Sequence, residues 1–206
     1  RGFMNTPNDT FANIDFLETE SVVSLNETGT RLANAGDMQK AEEHFVKAIE
    51  VDPGFPQSYH NLGILQAAQN KTGEATKNLN KLIEMEPNDP EHYNNMGIVY
   101  FLEGSYSESE LYFTKALEID NCHPGAMFNL GKLLFNMERT DEALSLVERF
   151  HNSDNSNTEA LDVLGKCYLR KNNKEKAKFF WEMALDIDPE LFQVRNSLQE
   201  LNVSGL

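Results

Sequence analysis

Asn61, Asn95 and Asn129 recur at intervals of 34 residues, each two positions before a glycine. A carboxamide carries both a donor and an acceptor, so it can hold a peptide bond by its N–H and its C=O whatever the neighbouring side chains. That is chemistry of recognition. Little else in the chain reacts. The histidines, His44, His60, His92, His123 and His151, show no carboxylate or cysteine partner at a metal-like spacing. Cys122 and Cys167 make neither a disulfide framework nor a metal motif, and each reads as a small thiol in or beside a helix. No glycine-rich phosphate loop, nucleophile elbow or pair of catalytic acids is present. The expectation is therefore no enzyme, no cofactor and no metal.

The interval of 34 governs the whole chain. Gly29, Gly63, Gly97, Gly131 and Gly165 share it. Twelve residues after each come Ala41, Ala75, Ser109, Ala143 and Ala177; four further on come Phe45, Leu79, Phe113, Val147 and Trp181. Each unit reads as two helices. The first carries apolar residues at i, i+3 and i+7, as in Tyr93, Met96 and Tyr100. Turn signals such as Ala-Gly-Asp at 35–37 and Glu-Gly-Ser at 103–105 separate the two helices. Proline ends the unit at Pro53, Pro87 and Pro189, because it lacks the N–H and its ring clashes with a continuing turn. Glycine and alanine at matched positions let the two helices approach closely, and the large residue of the second helix fills the space beyond.

This pattern resembles the tetratricopeptide repeat. The resemblance covers five units, 22–55, 56–89, 90–123, 124–157 and 158–190. It implies an all-α, right-handed superhelical solenoid of antiparallel helix pairs, with the first helices lining a concave groove. Unit four departs most: Phe150 stands where a small residue is expected, and the polar run 151–157 replaces the closing proline. A looser or differently angled second helix is expected there. Residues 191–206 read as a capping helix and tail, with Leu191, Val194, Leu198 and Leu201 on one face. Residues 1–21 form an extension in which Phe11, Ile14 and Leu17 can make one apolar helical face, docked on unit one or lying in a groove. The start on Arg rather than Met suggests an excised or processed piece.

The resemblance implies binding rather than catalysis, with the peptide-facing residues on the first helices. There Asn61, Asn95 and Asn129 look like the asparagine ladder of O-GlcNAc transferase repeats. Layers about 10 Å apart and a ligand rising ~3.3–3.6 Å per residue would let three such amides hold roughly eight residues of peptide backbone. The same amides can equally bond to neighbouring helices, and both readings stay open. By register the groove also takes in His60, Asn94, Ile64, Ile98 and Phe128 in the middle, with Lys132, Lys166 and Arg170 at a basic C-terminal end. Such a wall suits apolar residues followed by acidic ones or a free carboxylate. Lys166 can alternatively pair with Asp162 at i,i+4. The carboxylate clamp by which some family members hold heat-shock chaperones fails here, because Asn26, Thr30, Glu91 and Asn95 lack its cations.

Composition narrows the partners. A net charge of −15 repels nucleic acid and anionic lipid. No apolar run approaches the ~18 residues needed to span a bilayer, and no apolar leader is visible at the N-terminus. The expected function is a protein-interaction scaffold that binds an extended segment of a partner, in the cytoplasm. Two alternatives stand beside it: a recruiting or regulatory region of a larger enzyme such as a glycosyltransferase, and an assembly factor self-associating through residues 1–20.

Overall fold

The computed structural model describes residues 20–203, so the expected apolar face of Phe11, Ile14 and Leu17 lies outside the described residues. Local chemistry places the helix boundaries. Pro56, Pro90 and Pro124 each open a helix at a position whose N–H would have no partner anyway. Ser21, Asp37, Asn157 and Asn173 cap others by accepting from backbone N–H groups of the first turn. Between units, Asp52, Asp120, Asp154 and Asp188 fold the chain back by accepting from the N–H two residues on.

The helices are α1 (Val22–Asn34), α2 (Met38–Val51), α3 (Pro56–Ala68), α4 (Thr72–Met85), α5 (Pro90–Glu103), α6 (Tyr106–Ile119), α7 (Pro124–Asn136), α8 (Thr140–Ser153), α9 (Thr158–Arg170), α10 (Lys174–Ile187) and α11 (Phe192–Val203). No strand occurs among the described residues. Helices α1 to α10 form five antiparallel pairs, and each second helix packs on the first helix of the next pair. The result is an all-α, right-handed superhelical solenoid.

Packing inside a pair rests on the repeated glycine. A Cβ on Gly97 would stand 2.5 Å from the ring of Phe113, which is itself 1% exposed. Phe45, Val147 and Trp181 press on Gly29, Gly131 and Gly165 in the same way. The buried apolar residues form a chain of clusters that run from one pair into the next, as solenoid stability requires. Val194 and Leu201 of α11 are buried against the last pair, beside Leu161 and Trp181.

Unit four keeps the helix length of the others despite Phe150 and the missing proline. Helix α8 has 14 residues, like the other second helices, and the turn after it is closed by Asp154 rather than by proline. Phe150 fits because Phe128 of the adjoining helix stacks on it, with ring centroids 4.9 Å apart. The extra volume is absorbed by a paired aromatic.

Successive first helices also touch: α1 meets α3, α3 meets α5, α5 meets α7 and α7 meets α9. The second helices make no comparable contact with one another among the described residues. The odd-numbered helices therefore crowd the inside of the curve, and their free faces make its wall.

Candidate functional site

The wall is built from one stripe of each odd-numbered helix. At its N-terminal end an open cleft of about 790 Å³ is lined by Val23, Asn26, Glu27, Thr30, Gln57 and Asn61. Asn26 is buried and donates Nδ2 to Ser58 Oγ at 2.8 Å. Its Oδ1 accepts from Asn61 Nδ2 at 3.0 Å, so the bond runs from α1 to α3. Asn61 Oδ1 in turn accepts from Gln57 Nε2 at 2.8 Å.

The same staple recurs two pairs later. Asn129 Nδ2 donates to Asn94 Oδ1 at 3.0 Å, joining α5 to α7. Between these two staples the pattern breaks. By register Asn95 should donate to residue 60, where a histidine replaces the asparagine found at 26 and 94. Asn95 is 4% exposed, and its Nδ2 is buried without an acceptor. An imidazole in place of a carboxamide oxygen leaves the donor stranded. Thus two of the three expected ladder amides are engaged in holding successive helices together, and the central one is not.

The remaining residues of the sequence-derived wall divide in two. Ile64 is exposed at 37%, whereas Ile98 is half-buried against the central cluster. Phe128 is 9% exposed and stacked on Phe150, so its ring belongs mainly to the core. His60 is half-buried; burial, with His92 nearby, pushes its pKa below the ordinary histidine value.

Each cation of the basic end already has a partner within the protein. Lys132 lies 5.2 Å over the Phe128 ring and pairs with Glu159 of the next first helix. Lys166 pairs with Asp162 at 2.5 Å. Arg170 stacks 3.6 Å above the Phe135 ring and donates to the Phe135 carbonyl at 2.6 Å. A carboxylate pairs with each of these two lysines, four residues earlier for Lys166 and on the next first helix for Lys132. An acidic ligand there would have to displace a partner already in place.

Sequence reasoning missed three residues that the fold assembles. Glu86, at the end of α4, and Asp89, before α5, converge on His92: Glu86 Oε2 is 2.9 Å and Asp89 Oδ2 3.8 Å from His92 Nε2. Asp89 and His92 stand at i,i+3 at the start of α5, and Glu86 lies three residues before Asp89 across the turn, a spacing the search for histidine partners passed over. The available signal was His92 itself, at a register position held by Ser58, Ala126 and Ala160 in other units.

The sequence profile of the tetratricopeptide repeat matches residues 32–96, 91–121 and 158–191. The chain belongs to the tetratricopeptide repeat family. No curated protein matches it. Several solved structures share the fold. YrrB, a tetratricopeptide repeat protein, superposes with a TM-score of 0.66 at 22% identity, over 87% of this chain and 93% of that one. PilF of Pseudomonas aeruginosa gives 0.76 at 14% identity, over 89% of each chain. Yeast Tom70 gives 0.78 at 19% identity; 92% of this chain is covered but only 41% of Tom70. Tetratricopeptide repeats are interaction scaffolds in general, and their partners are proteins. Among the described residues no helix is long and apolar enough to cross a membrane.

Proposed function

We propose that this tetratricopeptide repeat protein holds an extended segment of a partner protein along the inner wall of its odd-numbered helices. The observation that carries the reading is Asn95: a buried carboxamide donor without an acceptor, midway along the wall and flanked by the two amide staples. A peptide carbonyl that displaced the groups covering Asn95 Nδ2 would supply the missing acceptor, and the exposed side chain of Ile64 offers an apolar contact on the same helix face one turn away from His60. YrrB is described as having an unusual peptide-binding site, which supports the reading by likeness of fold.

Recognition would then rest on peptide backbone and apolar side chains in the middle of the wall. The lysines contribute only where an acidic ligand group outcompetes Glu159 or Asp162. The test is selection of random displayed peptides on the full chain, followed by affinity measurements on the winners. Peptides should bind Asn95→Ala about tenfold or more weakly, the cost of one buried hydrogen bond of ~1.5 kcal/mol. Winners that bind Asn95→Ala undiminished, or that compete with nothing on the odd-numbered helices, overturn the reading.

A further inference from the structure

Around the turn between α4 and α5, three positions carry residues that their counterparts in the other units do not. Asp52, Asp120, Asp154 and Asp188 each spend a carboxylate oxygen on the backbone of their own turn. The corresponding residue here is Glu86, whose longer side chain reaches instead to His92. His92 occupies the position of Ser58, Ala126 and Ala160, all fully buried small residues. His60 replaces the asparagine of Asn26 and Asn94. The three departures meet at one place: a cleft of about 310 Å³ lined by His60, Glu86, Asp89, Glu91 and His92 among others.

A bulky imidazole at a small-residue position needs a reason, and hydrogen bonding within the protein supplies only half of one. His92 is 5% exposed, Nε2 faces the two carboxylates, and Nδ1 is buried without a partner. Leaving a buried polar atom unpaired is costly unless the ring's other nitrogen does something worth keeping.

We infer that Glu86, Asp89 and His92 form a binding site for a divalent transition metal of the zinc class, with His60 as the fourth ligand. This inference does not depend on the peptide reading. Its geometry is close to what such an ion needs. Zinc takes nitrogen and carboxylate oxygen at about 2.0–2.2 Å in a tetrahedron, which sets ligand atoms roughly 3.4 Å apart. The observed separations of 2.9 Å and 3.8 Å from His92 Nε2 bracket that edge, and one ligand atom from each of the three residues lies within 4.8 Å of the others. The His60 and His92 ring centroids are 6.4 Å apart. His60 is not among the residues whose ligand atoms already lie within 4.8 Å of one another, so it must move toward the cleft to complete the tetrahedron. Both carboxylates have side chains nearly half exposed and so are free to adjust. Two carboxylates balance a dication, and Glu91 adds negative charge in the cleft although it is also paired with His123 at 3.1 Å. The imidazoles favour a zinc-class ion over calcium or magnesium, which take oxygen.

The test uses the full chain, stripped with a chelator and titrated calorimetrically with zinc chloride. One zinc should bind per chain, and calcium should not compete. Cobalt(II) should give the visible absorption of a tetrahedral site. His92→Ala introduces the residue found at 126 and 160, and should weaken zinc binding about 100-fold or more, beyond the 10–100-fold typical of losing even an indirect partner. Glu86→Asp, which restores the aspartate of the other turns, should weaken it as well. If His92→Ala disturbs folding, Glu86→Asp carries the test alone. Absence of zinc binding by the wild-type chain at about 100 μM, or binding that neither variant reduces, overturns the inference.

Discussion

Replacing Asn95 and Asn129 separately by alanine separates amides that hold the fold from amides that wait for a ligand. The two substitutions remove the same atoms from equivalent positions of α5 and α7, so the gain in helix propensity, about 0.5 kcal/mol, is shared. What differs is the partner. Asn129→Ala breaks the 3.0 Å bond to Asn94 and strands the Oδ1 of a residue that is 4% exposed. That costs about 1 kcal/mol for the bond and a further ~1 kcal/mol or more for the stranded acceptor. Asn95→Ala breaks no donor bond and removes a buried Nδ2 that has no acceptor, which relieves ~1 kcal/mol or more. The difference between the variants is thus at least about 3 kcal/mol. For a chain of this size that is roughly 6–12 °C in thermal midpoint, with Asn95→Ala the more stable. Circular dichroism melts of wild type and both variants measure it. Equal destabilisation by the two would show that Asn95 has a structural partner and would refute the reasoning. The functional corollary is opposite in sign: the variant that gains stability is the one that loses peptide binding, a trade found where a site keeps an unsatisfied group for its ligand.

The glycines grade in the same spirit. Gly97→Ala drives a Cβ to 2.5 Å from the Phe113 ring, while Gly63→Ala meets Leu79 Cδ2 and Cγ at 3.0 Å and no atom closer. Overpacking of ~1–3 kcal/mol should outweigh the ~1 kcal/mol helical gain at Gly97 and not at Gly63, read as a lower melting temperature for the first alone. The cysteines should also divide. Cys122 is exposed, whereas Cys167 is fully buried and its thiol is pushed up to about 11 by burial. An alkylating reagent at neutral pH should modify one thiol per native chain, with peptide mapping placing it at Cys122, and two after denaturation. Since the folded pKa of Cys167 is raised above the ordinary 9.0, its contribution to stability is complete below about pH 9 and falls away between there and about pH 11. Cys167→Ala should flatten that part of the alkaline melt.

How far a residue's role was legible depended on whether its partner lay within its own unit. Gly97 and Phe113 sit sixteen residues apart on one helix pair, and every unit repeats the arrangement, so the close packing is visible as a periodic pair of residue types. Asn61 and Asn129 could be placed on one face by register alone. Their use could not, because the deciding partners, Asn26 and Asn94, belong to the preceding unit. Lys132 read as a free cation for the same reason: Glu159 faces it from the next first helix. Phe128 read as groove-facing because register gives direction but not depth, and only the stack on Phe150 shows how far it is buried.

Amino-acid order by itself determined the period, the helix pairs and their turns, since all of these follow from contacts between residues close in the chain. The tertiary structure alone decided which inward amides are satisfied and which is left open, and that Lys132 is already paired with Glu159 of the next first helix. Those outcomes depend on where one unit ends and the next begins in space, at distances of a few ångströms that a repeat spacing does not specify.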